Sequence, residues 1–117
     1  MLSDDRRRLV SWVLPALAAR ISGRVWKVVD DALLDGVIEI RGRTDPSERE
    51  GVGVYVSLLA QDLTLASNFK EGLRRCRCLS GYVVTVENPR PHDYEVARQV
   101  GNVWFEPIER LIRSARD

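Results

Sequence analysis

Four groups of residues in this chain could do chemistry. Cys76-Arg77-Cys78 holds both cysteines, and two thiols bind a metal only when further donors join them. His92, the one histidine, has Asp93 beside it and is the sole imidazole available. On a strand, residues two apart stand about 6.6 Å from one another with parallel side chains, so a disulfide between these cysteines would need distortion. The motif therefore reads as two small buried hydrophobes in a reducing compartment, and no metal or cofactor is expected. Arg75 and Arg77 favour a thiolate, which makes redox sensing the lesser option. Carboxylates for acid–base or metal work are nearest one another in Asp30 or Asp31 with Glu39-Ile40-Arg41, where a charge-alternating surface hairpin explains the same letters. No G-x-S-x-G elbow exists, and Gly51-Val52-Gly53 lacks the third glycine and the following helix of a phosphate loop.

The arginines form the last group. Arg6-Arg7-Arg8 and Arg74-Arg75-Cys76-Arg77 offer guanidinium forks that suit phosphates, with Tyr82 as an aromatic platform. Arg74, Arg75 and Arg77 are thus the candidate nucleic-acid contacts. Asp4, Asp5 and Glu71 lie beside these clusters, and no RNP-like, zinc-finger or helix-turn-helix pattern accompanies them, so a salt-bridged solvent face is the first expectation.

The elements that must position these groups follow from hydrophobic period. Residues 4 to 22 predict an amphipathic helix, with Ser3 as N-cap, Asp4 and Asp5 at its positive end, and Gly23 as its stop. The acids and Pro15 argue for a retained helix over a targeting segment, which places the chain in the cytoplasm. Arg24 to Asp30 and Val37 to Arg41 read as a hairpin turning at Asp35-Gly36, and Val52 to Leu59 adds a third antiparallel strand. Leu59, Leu63, Ala66, Phe69 and Leu73 recur at helical spacing. A second hairpin is expected from 74–79 and 82–87 around Ser80-Gly81, with helical continuation of residues 73–78 as its alternative. A last helix runs from 93 to 115, with Gly101 and Pro107 as weak points.

The expected fold is a single α+β domain over residues 1–117, in the order α-β-β-β-α-β(-β)-α. Its antiparallel sheet has four to five strands, with helices on one face. That order resembles the type III secretion chaperones and related small dimeric domains. Its first part, helix, three strands, helix, strand, also resembles the core of restriction-like nucleases. Those enzymes hold a metal with an Asp and an acidic-x-Lys motif on neighbouring strands; here Arg41 stands where a lysine belongs, and Val52 to Leu59 carries no carboxylate.

With 117 residues, 44% hydrophobic and 30% charged, the composition is that of an ordinary globular chain. The formal charge of +1 gives no bulk attraction to nucleic acid or anionic lipid. Function is expected in the apolar surplus of the helices. On the first, Val10, Val13, Leu14, Leu17 and Ile21 make the inner stripe, while Trp12, Pro15, Ala16 and Ala19 fall opposite. On the last, Glu106 with Arg110 and Glu109 with Arg113 mark the solvent face, and Trp104, Ile108 and Ile112 exceed what one sheet face needs. Trp12, Ala16, Ala19, Trp104, Ile108 and Ile112 are accordingly the candidate interface of a self-associating, non-enzymatic module. Its partner would be a second copy or another protein, with nucleic acid second, no membrane, and an enzyme of unrecognised type third.

Overall fold

The structure, a computed structural model, describes residues 4–31, 34–42, 47–57, 63–86, 91, 95, 98 and 102–116. His92, residues 93–94, 96–97 and 99–101 of the expected last helix, and residues 32–33, 43–46, 58–62 and 87–90 lie outside them. Eight elements are described: α1 (Asp4–Arg20), β1 (Arg24–Asp31), β2 (Leu34–Arg41), β3 (Arg49–Ser57), α2 (Leu63–Arg75), β4 (Ser80–Thr85), β5 (Val103–Pro107) and α3 (Ile108–Arg116).

The five strands form one sheet in the order β1-β2-β3-β4-β5. The meander β1-β2-β3 is antiparallel, as expected, but β3 pairs with β4 in parallel and β4 with β5 in parallel. The sheet is therefore mixed, which corrects the antiparallel expectation. A parallel neighbour cannot be reached by a tight hairpin; the chain must return across a face, and α2 makes that return between β3 and β4.

This crossover also corrects the placing of all helices on one face. Val10, Val13, Leu14 and Leu17 of α1 and Leu111 of α3 pack with Ile38, Val52, Val54, Val56 and Val84. On the other face, Phe69 and Leu73 of α2 pack with Leu34, Val37 and Val83. The period of two in β3 thus serves two cores, Val52, Val54 and Val56 toward α1 and Tyr55 toward α2. A Cβ on Gly81 would stand 2.6 Å from Phe69 Cζ, so this position admits α2 only without a side chain. The same demand accounts for Gly53, whose Cβ would overlap Leu73 Cδ2.

Helix ends explain two further corrections. In α1, Gly23 N–H reaches Ala18 C=O and Ser22 N–H reaches Ala19 C=O, the paired bonds of a Schellman cap, and Ser22 rather than Gly23 takes the left-handed φ of 57°. The end of α2 repeats it: Cys78 N–H donates to Leu73 C=O at 2.8 Å, Arg77 N–H to Arg74 C=O at 3.2 Å, and Arg77 has φ 56°. Residues 74–79 are therefore a helix end and its cap. Their alternating cysteines lie on no strand, and Ser80-Gly81 opens β4 instead of turning a hairpin. Likewise the stretch read as the final helix contains β5, with α3 starting immediately after Pro107, where the missing N–H forbids a helix interior but suits a start.

Asp35-Gly36 is not a turn either, because both residues lie inside β2. Ladder pairing of β2 with β3 begins at Gly36↔Val54, and beyond it the buried Asp35 carboxylate accepts the Val56 N–H at 2.6 Å. A side chain thus continues the sheet where backbone pairing stops. Asp35→Ala leaves that buried N–H unsatisfied and should lower unfolding free energy by about 1–3 kcal/mol in urea titrations, while Asp35→Asn, which keeps an acceptor, should lose less.

Candidate functional site

Of the sequence-predicted residues, the arginines have the most definite geometry. Arg74 Nε donates to Glu71 Oε2 at 3.0 Å and Arg75 Nε to Glu71 Oε1 at 3.2 Å, so one carboxylate serves two guanidinium groups in the last turns of α2. The Arg74 hydrogen bond holds Glu71 down to about 2 from its ordinary 4.5; desolvation opposes it, and the charge of Arg74 with the hydrogen bond and charge of Arg75 adds to the lowering. Arg77 stands exposed in the left-handed cap, outside this pair of bridges.

The cap also places the thiols. Cys76 and Cys78 are both half-buried and free, and Cys78 Sγ lies 3.7 Å from Cys76 C=O. Burial, then the neighbouring Cys76, pushes the Cys78 thiol up to about 11, more than Lys27 draws it down. The arrangement favours a protonated thiol, opposite to the thiolate that adjacent arginines suggested. Among the described residues no three His, Cys, Asp or Glu side chains gather as metal ligands.

On the opposite face, Trp12 is 39% exposed and Ile112 39%, and Ala19 is exposed. Ala16 and Ile108, predicted with them, are half-buried and pack against the α1 core. Trp104 lies on β5 rather than on a helix, 38% exposed, its ring stacked on Tyr82 at 5.7 Å. Tyr82 packs against that same core, so it serves this face and stands apart from the arginines of α2.

Glu106 was expected on the solvent face with Arg110. Because it belongs to β5, it is buried, and its Oε1 lies 3.0 Å from Arg20 Nε, while Arg20 also donates to Ser114 Oγ. One guanidinium thereby joins α1, β5 and α3. The Glu109–Arg113 pair forms as predicted, at 2.8 Å.

Sequence reasoning missed Trp26 and Arg24. Trp26 sits at a register shift of β1 between Val25 and Lys27, is 57% exposed, and has the Lys27 ammonium 4.9 Å from its ring centroid. Glu39 Oε1 lies 3.4 Å from Arg24 and 3.4 Å from Arg49, a bridge over three strands. Asp30 and Asp31 end β1, and their side chains lie outside the described residues. Glu39 is therefore held by two arginines, with 15% of its side chain exposed.

Two measurements check this electrostatic picture. Carboxyl titration by NMR should place the Glu71 midpoint near 2; since the folded value is depressed, its contribution to stability is present above pH 4.5 and lost as pH falls toward 2. Alkylation of Cys76→Ser should be slow at pH 8 and accelerate at more alkaline pH as the Cys78 thiol ionises, with a midpoint below the wild-type value of about 11 because the neighbouring thiol is gone.

No family model matches the chain, and no curated protein matches it significantly. Among solved structures, it is similar to MspJI restriction endonuclease in complex with a 27-mer oligonucleotide, at 18% identity and a TM-score of 0.59, over 92% of this chain and 27% of that one. The chain spans about a quarter of the length of that protein. At this identity the likeness concerns the fold: an α+β arrangement with a five-stranded mixed sheet, shared with part of a restriction endonuclease.

Proposed function

We propose that this chain is a non-catalytic interaction module on a restriction-endonuclease-like fold, associating with a second copy of itself through the layer of α1 and α3. The observation that carries this reading is the exposure of Trp12 and Ile112 on two helices whose other faces are packed into the core. Large apolar side chains left bare on a helix layer are the usual anchors of a protein interface.

The hydrogen bonding of Asp35 bears on the non-catalytic half of the reading. Restriction-like nucleases set an Asp and an acidic-x-Lys motif on neighbouring strands. Asp35, at the start of β2, is taken up by the Val56 N–H, and the stretch of β3 facing it is Val54-Tyr55-Val56. These residues give the carboxylate a structural partner.

Sedimentation with circular dichroism tests the association. Trp12→Glu and Ile112→Glu should each yield a folded monomer, because a carboxylate without a partner at an apolar interface costs several kcal/mol, whereas at a solvent position it costs about 0.5 kcal/mol. Leu14→Glu, in the buried stripe, should unfold the chain. A wild type that sediments as a monomer, or a Trp12→Glu variant with unchanged mass, would remove the reading.

A further inference from the structure

The net charge of +1 conceals a strong asymmetry. On β2 and β3 the face that carries Val37, and so meets α2, continues through Glu39 and Arg41 on one strand and Arg49 and Gly51 on the other, where Arg41 pairs directly with Arg49. Arg24, opposite Glu39, and Lys27, opposite Val37, extend this face onto β1. The end of α2 lies against the same corner: Leu79 N–H donates to Gly51 C=O at 3.3 Å, and a Cβ on Gly51 would be 3.4 Å from Cys78 Sγ. The end of α2, which carries Arg74, Arg75 and Arg77, is thereby joined to the corner of the sheet that carries Arg41 and Arg49.

The corner holds these seven cations and, with Glu48 of the bend before β3 counted, the three carboxylates Glu39, Glu48 and Glu71. Its net is +4, so the remaining residues sum to −3. The arginines are open to solvent, Arg24 with 74% of its side chain exposed and Arg74 with 73%. This surface lies at the amino-terminal end of β3. From Arg49 the Asp35 end is distant by the length of the strand, roughly 23 Å for seven residues, while Lys27, opposite Val37, stands nearer to it.

We infer that this corner is a binding surface for the phosphate backbone of a single-stranded nucleic acid, with Trp26 stacking on a base. Six of the seven cations are arginines, whose planar forks match phosphate oxygens better than ammonium groups do. They spread over three adjacent strands and a helix end, about 10 Å across the strands alone, which follows a chain of phosphates rather than one anion. Trp26 supplies what an acidic peptide would not need: an exposed ring at the edge strand, beside a cation, where an unpaired base finds a π-face. The α1–α3 layer lies on the other side of the sheet, so this inference and the self-association reading can fail independently.

The test is fluorescence anisotropy of a labelled thymidine oligonucleotide across a salt series, with a duplex of equal length and polyglutamate as competitors. Binding should weaken linearly in log–log form, and Arg74→Ser/Arg75→Ser/Arg77→Ser should reduce the slope by about 2. Trp26→Ala should weaken the single strand roughly tenfold, the effect of one lost stack, and the duplex less. Arg110→Ser/Arg113→Ser, on α3, should change nothing, and circular dichroism should confirm that every variant is folded. No binding at low salt, equal competition by polyglutamate or duplex, a slope unmoved by the triple substitution, or an equal effect from the α3 control would each overturn the inference.

Discussion

β3 constrains the rest of the molecule, because it is antiparallel to one neighbour and parallel to the other. An antiparallel partner can be a hairpin away, but a parallel one demands a return over a face of the sheet. α2 is that return. Once it covers its face, both sides of β3 must be apolar or empty, and the strand complies with valines toward α1 and Gly53 and Tyr55 toward α2. The two-faced burial in turn divides the surface into an α1–α3 side and an α2 side. The exposed apolar residues of α1 and α3 and the cationic corner consequently lie on opposite sides of the sheet.

Much of this was legible in the residues, and what was not has identifiable causes. The inner stripe of α1 and the alternation of β2 and β3 are set by burial against a neighbour, and burial leaves a period. Strand direction leaves none: Tyr82 to Thr85 has the same letters whether it runs with β3 or against it. Only the length of the connection argues the point, and the helical spacing from Leu63 to Leu73 was sufficient to imply a crossover. Asp35-Gly36 misleads because a turn-favouring pair can also serve as a side-chain continuation of a ladder and a slot for Leu14, and local chemistry does not tell the two apart. The Cys76-Arg77-Cys78 stretch misleads for the same reason. A Schellman cap reads as a break in helical period, and here it accepts a non-glycine residue at positive φ.

The candidate site was legible only in part, since it is assembled from four elements far apart in sequence. Arg74, Arg75 and Arg77 were visible as a run, but a run beside Glu71 reads as self-neutralising, and within α2 it largely is. Arg24, Arg41 and Arg49 are scattered singly among strand residues, where each looks like an ordinary solvent-side charge. Register alone gathers them: Arg41 and Arg49 are direct cross-strand partners, an arrangement of like charges that is unfavourable for the sheet taken by itself. Glu39 offsets part of that repulsion by standing between Arg24 and Arg49.

Composition therefore gives a misleading account of this protein's electrostatics. A chain with eighteen basic and seventeen acidic residues has almost no monopole, yet fields at contact range depend on local density, and the corner holds seven cations against three carboxylates. At physiological salt the screening length is about 8 Å, shorter than the strand, so an anion near Arg24 and Arg74 feels the corner and little of the compensating acids elsewhere. A nearly neutral chain with such a corner lacks long-range attraction, and its pull on an anion is confined to contact range. The stability cost of clustering like charges is borne by Glu39 and Glu71, each placed between two arginines, and their positions leave the outward faces of Arg41 and Arg77 turned to solvent.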